Sequence, residues 1–195
     1  MTTQHTDGRL VARVRDGDLE ALGELYGKYK TQIYRTALAI TRDERAAEDI
    51  LQEAFLRVYA YADSIDGTVP LGPWLYRVTV NLAYSWTSRV KRWIHSLQGT
   101  LDGWSSSPYW LPEAAAEEQE QREILQQAID ALPASQRVVV ILYYLEGLSL
   151  KEIAYVTNVP EGTVKSRLHY ARERLRKAIL EQEHRLVPEV AYDFT

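Results

Sequence analysis

"LSLKEIAYVTNVPEGTVKSRLHYARERL", residues 148–175, predicts two helices separated by a tight turn. Ser149 lies where a helix N-cap belongs, and Glu152, three residues later, completes a capping box. Asn158, with Pro160 two residues on, predicts the end of the first helix. A longer and more basic helix follows. The stretch therefore predicts a helix-turn-helix.

The second helix of this stretch divides into two faces at about 100° per residue. The apolar face holds Val164, Leu168, Ala171, Leu175 and Ile179. A helix that reads the major groove of DNA needs one packed side and an exposed side with polar or basic groups near its N-terminus. Gly162 would let the backbone approach the duplex closely. The alternative is a helical hairpin whose basic face is only solvated. The residues predicted to bind DNA are Gly162, Thr163, Lys165, Ser166, Arg167, His169, Tyr170 and Arg172.

The rest of the chain also shows helical spacing of apolar residues, which predicts an all-α fold. Amphipathic helices are expected over residues 21–33 and 46–59, after an N-cap at Asp18, and a third from about Pro73 towards Trp93. The apolar positions of the first two are Ala21, Leu22, Leu25, Tyr26, Tyr29, Ile33, Ala46, Ala47, Ile50, Leu51, Ala54, Phe55, Val58 and Tyr59.

The run "VVVILYYL", residues 138–145, fits either a buried strand or a buried helix. Pro133 before it, Gly147 after it and helical patterns on both sides favour a central helix that is buried all round. No neighbouring segment offers a second strand to pair with it.

Between Ser96 and Pro112 the periodicity disappears into a stretch rich in Ser, Gly and Pro, which is typical of a linker. The expected organisation is two small helical domains, residues 8–95 and 117–183, joined by a flexible linker over 96–116. A loosely attached tail over 184–195 follows.

Composition excludes several classes of function. The 195 residues include no cysteine, which excludes disulfides, thiol nucleophiles and Cys-ligated zinc and fits a reducing compartment. No apolar signal core is present, and the longest apolar run is too short to span a bilayer, so a cytoplasmic protein is expected. No nucleotide fingerprint or catalytic triad spacing occurs, and the four histidines are scattered. We expect no enzyme activity, cofactor, metal site or small-molecule substrate.

The formal net charge of −4, from 23 Lys plus Arg against 27 Asp plus Glu, argues at first sight against a nucleic-acid partner. The charges are segregated, however, because residues 74–93 contain four basic residues and no acid. Such a helix could follow a phosphate backbone while aromatic or polar neighbours receive unstacked bases. Trp74, Val78 and Leu82 fit the core better, and Trp86 fits either role.

The outer face of the helix expected over residues 46–59 mixes polar residues with one leucine. It consists of Asp49, Gln52, Glu53, Leu56 and Arg57. A mixed polar face with one exposed leucine is an unusual surface for pure solvation, and an ordinary solvated acidic face is the alternative.

Three segments, "DILQEAFLRVYAY" (49–61), "PWLYRVTVNLA" (73–83) and residues 148–179, resemble in this order the extracytoplasmic-function (ECF) group of bacterial sigma factors. The resemblance covers most of residues 10–180. It implies that residues 8–95 are sigma region 2 and residues 117–183 sigma region 4. It implies a factor that joins core RNA polymerase and directs promoter-specific initiation.

The resemblance also implies partners and site residues. The outer face of residues 49–57 would contact the coiled coil of the polymerase β′ subunit, with the β subunit as a further contact. The helix-turn-helix would bind the minus-thirty-five element, and the loop over 63–71 would help to bind the minus-ten element. An anti-sigma factor would hold the protein inactive. The linker, with Trp104, Tyr109 and Trp110, would either thread the polymerase or pack on a domain. The helix residues implied for the minus-ten element are Arg77, Asn81, Trp86, Arg89, Lys91 and Arg92.

Two departures from the family pattern stand out. Residues 84–88 separate the Asn-Leu-Ala motif from the next basic residues, which predicts an atypical minus-ten preference. Lys165 stands where arginine is common, and lysine lacks the bidentate fork that arginine places on guanine, so the pattern does not specify the minus-thirty-five sequence. A stand-alone helix-turn-helix regulator is the alternative function, and it would have no need of the face over 49–57.

Overall fold

The computed structural model describes residues 2–96 and 116–186, with side chains described over 7–90 and 123–180. Every regular element in these ranges is helical, which confirms the all-α prediction. The predicted linker falls mainly on residues 97–115 and the predicted tail mainly on 187–195, both outside the described residues. Within the described ranges, no helix has the length and apolar character needed to cross a bilayer.

The N-terminal half, residues 2–96, is built around α2. Its helices are α1 (Thr2–Arg15), α2 (Leu19–Thr41), α3 (Glu44–Ala60) and α4 (Leu71–Ser96), with a 3₁₀ turn at Ala62–Ser64. The predicted N-cap is confirmed, because the Asp18 carboxylate accepts hydrogen bonds from the backbone N–H groups of Glu20 and Ala21 at 2.9 and 3.2 Å. Helix α4 begins two residues before Pro73. The core of this half includes the fully buried side chains of Leu25, Ile33, Val58, Leu71 and Leu75.

Helix α1, which the apolar pattern did not predict, fixes the start of α4. Asp7 is fully buried and accepts hydrogen bonds from the Tyr29 hydroxyl at 2.6 Å and from the Leu71 backbone N–H at 3.4 Å. Lys28 pairs with the same carboxylate. The next residue, Gly8, packs so closely on Gly67 that a Cβ on Gly8 would lie 2.1 Å from the Gly67 carbonyl oxygen. The loop before α4 is therefore tied to the first helix.

The C-terminal half, residues 116–186, consists of α5 (Ala116–Asp130), α6 (Ala134–Val140), a π-helical turn (Ile141–Leu145), α7 (Leu150–Thr157) and α8 (Glu161–Leu186). The helical interpretation of residues 138–145 is confirmed, but the expectation of burial all round was wrong. The Tyr144 side chain is 58% exposed. The chain changes from α to π after Val140, with the Glu146 N–H bonded to the Ile141 carbonyl at 3.2 Å, and the wider turn rotates Tyr144 outward.

The helix-turn-helix forms as the sequence predicts. Ser149 and Glu152 make a complete capping box, and Asn158 ends α7 in the left-handed conformation at φ 52°. On α8, Val164, Leu168 and Ala171 are buried, whereas Leu175 and Ile179 are half-buried. The apolar face thus packs inward and fixes the orientation of the polar face.

The two halves lie in contact, a feature that the sequence pattern did not predict. Helix α4 packs on α7, and α2 packs on α6 and on the π-helical turn. Glu146 joins the halves by accepting hydrogen bonds from the Tyr76 hydroxyl at 2.8 Å and the Thr36 hydroxyl at 3.0 Å. An ion pair between Arg42 and Asp130 adds a second link. We call this packed form the closed arrangement.

Candidate functional site

The polar face of α8 is open to solvent. Six of the eight predicted DNA-binding residues are exposed: Gly162, Lys165, Ser166, His169, Tyr170 and Arg172. Thr163 and Arg167 are half-buried. No atom lies within 4 Å of the position that a Cβ on Gly162 would take, so this glycine is not required for internal packing. The structure thus brings all eight residues to the outer sides of one helix.

Local contacts orient the basic groups of this face. Lys165 pairs with Glu161 one turn earlier at 3.2 Å, and both side chains are exposed, so the pair is readily exchanged for a phosphate. Arg172 donates a hydrogen bond from Nε to the Tyr144 hydroxyl at 2.8 Å, and this bond raises the pKa of Arg172. Its guanidinium also lies 5.7 Å from the ring centres of Tyr143 and Tyr144. Sequence reasoning missed this role of the π-helical turn.

The predicted minus-ten residues of α4 do not form one exposed strip in the closed arrangement. Asn81 and Arg89 are exposed. Arg77 is half-buried, and its guanidinium lies 5.0 Å from the centre of the Tyr155 ring on α7. Trp86 is half-buried and lines a cavity between the halves. Lys91 and Arg92 belong to α4, but their side chains lie outside the described residues.

The other α4 residues discussed from sequence lie in the core or pack against it, as expected. Val78 is buried at 9% exposure, and Trp74 and Leu82 are half-buried and pack against the core.

The loop before α4 is held in place by α1. Arg15 donates to the carbonyl oxygens of Ala62 at 3.1 Å and Ile65 at 3.5 Å. Inside the loop, Asp66 accepts hydrogen bonds from the Thr68 hydroxyl at 2.6 Å and backbone N–H at 2.9 Å, which lower the pKa of its carboxyl group. These hydrogen bonds therefore give the loop a defined conformation.

The outer face of α3 presents an apolar side chain among polar ones. Leu56 is 62% exposed, and Asp49 and Gln52 are also exposed. Glu53 and Arg57 are half-buried and form an ion pair at 2.8 Å. Tyr59 and Tyr26, which follow the apolar pattern of their helices, are 49% and 38% exposed.

No group of three or more His, Asp or Glu side chains in the described ranges is placed to hold a metal ion.

Each half of the chain matches a known protein family. Residues 25–94 match the family model "Sigma-70 region 2", and residues 122–175 match "Sigma-70, region 4". The ECF RNA polymerase sigma factor SigW of Bacillus subtilis is 36% identical over 177 residues, which cover 87% of this chain and 94% of SigW. The ECF RNA polymerase sigma-E factor of Escherichia coli K12 is 33% identical over 184 residues, 90% of this chain and 95% of that protein.

Two solved structures share the fold. CnrH, solved in complex with the cytosolic domain of CnrY, matches with a TM-score of 0.65 at 20% identity, over 91% of this chain and 98% of CnrH. The sigma factor RpoE of Bartonella quintana, solved in complex with the anti-sigma factor NepR, matches with a TM-score of 0.67 at 23% identity, over 80% of this chain and 95% of RpoE.

Proposed function

This chain belongs to the ECF RNA polymerase sigma factors, and we propose that it uses three separate surfaces to bring core RNA polymerase to its promoters. The surfaces are the outer face of α3, helix α4 with the loop before it, and the polar face of α8. The chain itself catalyses no reaction, and it works in the cytoplasm together with the polymerase. The observation that carries the proposal is the presence of region 2 and region 4 in one chain, each with an exposed face of matching chemistry.

The polar face of α8 binds the minus-thirty-five element. Its first turns carry small and hydroxyl side chains beside Lys165, which suits close approach to base edges and phosphates. Arg172, held by Tyr144, is a pre-oriented guanidinium, and such a group loses little conformational entropy when it binds a phosphate. The remaining members of this site are Gly162, Thr163, Ser166, Arg167, His169 and Tyr170.

Helix α4 and the loop over residues 63–71 bind the minus-ten element as a separated strand. Asn81 and Arg89 are already exposed, but Arg77 and Trp86 become available only when the halves separate. Lys91 and Arg92, which follow in the sequence of the same helix, are further members of this proposed site. Single strands are commonly held by such a combination of cations and stacking side chains.

The two promoter elements themselves require the halves to separate. Their centres lie about 25 base pairs apart, which is roughly 85 Å of B-DNA at 3.4 Å per base pair. In the closed arrangement α4 touches α7, so one molecule cannot reach both elements. Residues 97–115, fully extended, span at most about 65 Å, which together with the lengths of α4 and α8 covers the distance. The closed arrangement is thus a state that precedes promoter binding.

The α3 face contacts the coiled coil of the polymerase β′ subunit, and other surfaces contact the β subunit. Leu56 supplies an apolar anchor that a partner pocket can desolvate, and the surrounding polar groups form the rim of the contact. Asp49, Gln52, Glu53 and Arg57 complete this rim.

An anti-sigma factor is a further proposed partner of this chain. The proposal is supported by the solved structures of similar fold, which are complexes with the cytosolic domain of CnrY and with the anti-sigma factor NepR.

The test is promoter-dependent transcription with purified core polymerase. Replacing Gln52 by Ala and Glu53 by Lys should weaken core binding at least tenfold, which corresponds to about 1.4 kcal/mol. Replacing the exposed Glu123 on α5 by Lys is the charge-matched control and should leave binding unchanged. A stand-alone regulator would tolerate the double change, and would bind promoter DNA tightly without polymerase. The net charge of −4 predicts weak DNA binding by the free protein.

A further inference from the structure

A cavity of about 460 Å³ lies between the two halves. Its size falls in the range of small-molecule sites. Ile40 at the end of α2, Trp86 and Val90 on α4, and Leu132 after α5 form the apolar part of its wall. The cavity exists because the halves are packed together, so anything bound there contacts both.

Two arginines in the cavity wall face a single carboxylate. Arg42 comes from the N-terminal half, and Arg137 and Asp130 come from the C-terminal half. Arg42 lies 2.5 Å from the Asp130 carboxylate, while Arg137 donates to the Asp130 backbone carbonyl at 3.3 Å. Asp130 is the one acidic residue among those that line the cavity, which leaves one positive charge without a counter-charge.

The guanidinium groups also keep unused donors. The Nε atoms of Arg42 and Arg137 are both buried and have no hydrogen-bond acceptor. Burial lowers the pKa of each arginine, and the proximity of Arg137 lowers that of Arg42 further, so the two cations repel each other. Burial also raises the pKa of Asp130. A further anion beside the guanidinium groups would relieve this repulsion.

The backbone places Arg42 in a conformation that side chains rarely adopt. Its φ is 60°, in the left-handed region at the C-cap of α2, where glycine or asparagine is usual. A non-glycine residue held in this region is often found at a functional site.

We propose that this cavity binds a small organic anion, a carboxylate or a phosphate monoester with an apolar body. The anionic group lies between Arg42 and Arg137, which offer planar forks that suit both oxyanions, and the body lies against Ile40, Val90 and Leu132. The ligand bridges the halves and stabilises the closed arrangement. Its effect on transcription rests on the proposed function, because the closed arrangement cannot reach both promoter elements.

The experiment measures binding to the full chain by calorimetry and thermal unfolding, with benzoate and phenyl phosphate as probes. Benzamide, which is neutral, and inorganic phosphate, which lacks the apolar body, are the comparison ligands. For fragments of this size we expect at least one probe to bind with a dissociation constant of about 0.1–1 mM. We expect no measurable binding of benzamide. Benzoate and phenyl phosphate distinguish the two anion types.

Variants locate the site. R42Q and R137Q should each weaken probe binding at least tenfold, and R176Q, which changes an exposed arginine of α8, should not. Val90→Phe keeps both arginines and narrows the part of the cavity that would hold the apolar body, so it should weaken probe binding at least tenfold in a protein whose circular dichroism is unchanged. Failure of both probes to bind the wild type, or equal binding by R42Q, R137Q and V90F, would overturn the inference.

A transcription assay separates this inference from the proposed function. Phenyl phosphate or benzoate should inhibit transcription by the wild-type holoenzyme assembled in its presence and should not inhibit assembly with R137Q. A wild type that transcribes but binds neither probe refutes the cavity proposal alone. A wild type that binds a probe but never transcribes with core polymerase refutes the proposed function alone.

Discussion

Removal of the Glu146 carboxylate should loosen the contact between the two halves. The Tyr76 hydroxyl donates to this carboxylate at 2.8 Å, and Tyr76 is buried at 6% exposure. The Thr36 hydroxyl donates at 3.0 Å, but it also lies 2.8 Å from the Gln32 carbonyl, which remains as an acceptor. The substitution E146A thus removes the acceptor of one buried donor and leaves the other satisfied.

The expected effect follows from these two bonds. A hydrogen bond to a charged group, such as the bond from Tyr76 to Glu146, contributes about 1.5–3 kcal/mol. Loss of the bond from Thr36, whose hydroxyl can still donate to the Gln32 carbonyl, costs about 0.5 kcal/mol. The closed arrangement of E146A should therefore be less stable by about 2–3.5 kcal/mol relative to separated halves. At about 1.4 kcal/mol per factor of ten, this shifts the equilibrium roughly 30- to 300-fold towards separation.

Energy transfer between two dyes can measure this shift, because the chain has no cysteine of its own. Cysteines introduced at the exposed positions Glu48 on α3 and Glu173 on α8 place one dye on each half. Transfer should fall in E146A, fall less in E146Q, and stay unchanged in the control E123A. Equal transfer in E146A and wild type would refute the role of Glu146 as a link between the halves.

Three further results are expected. K165A should weaken binding to minus-thirty-five DNA and reduce the slope of log affinity against log salt by about 0.9, since one phosphate contact is lost. G8A should destabilise the fold by about 1–3 kcal/mol in thermal unfolding, because its Cβ would lie 2.1 Å from the Gly67 carbonyl oxygen. D18N should make the free energy of unfolding depend less on pH under acidic conditions. A hydrogen bond from Arg13 lowers the pKa of Asp18 in the folded protein, so the stabilisation that Asp18 contributes is present above about pH 4 and is lost as the pH falls further.

Each of these results has a matched control. K30A, on α2, should leave the salt slope unchanged, and a slope altered equally by K30A and K165A would argue against a phosphate contact at Lys165. G23A has open space at its Cβ and should be neutral or stabilising by about 0.5–1 kcal/mol, so a G8A protein as stable as G23A contradicts the packing argument. If the free energy of unfolding of D18N fell as steeply with decreasing pH as that of the wild type, other carboxylates would account for the pH dependence.

The sequence correctly predicts the elements whose capping residues, helix breaks and apolar faces agree with their packing in the fold. The capping box at Ser149 and Glu152, the break at Asn158 and the buried face of α8 all follow from short-range chemistry that the tertiary structure preserves. The N-cap at Asp18 belongs to the same class.

Long-range packing decides what the sequence does not predict. The π-helical turn that exposes Tyr144 looks like part of a continuous apolar run. Helix α1 carries few apolar residues, and its function depends on Asp7 and Gly8 meeting the start of α4 and the loop before it, more than 50 positions later in the sequence. Glu146 contacts Thr36 over 110 positions. No periodic pattern encodes contacts of this kind.

The candidate site was predictable where exposure follows from helix geometry. The outer faces of α3 and α8 lie where the helical wheel places them. The partial burial of Arg77 and Trp86 was not predictable, because it arises from contact between the two halves.

Reconstitution of the purified chain with bacterial core RNA polymerase, in the absence of any anti-sigma factor, tests the role as a sigma factor most directly. We expect a stable complex that starts transcription at specific promoters, and we expect the double change at Gln52 and Glu53 to weaken complex formation at least tenfold and to lower transcription with it. Failure of the wild-type chain to bind core polymerase, or specific promoter binding at nanomolar affinity by the chain alone, would contradict this role.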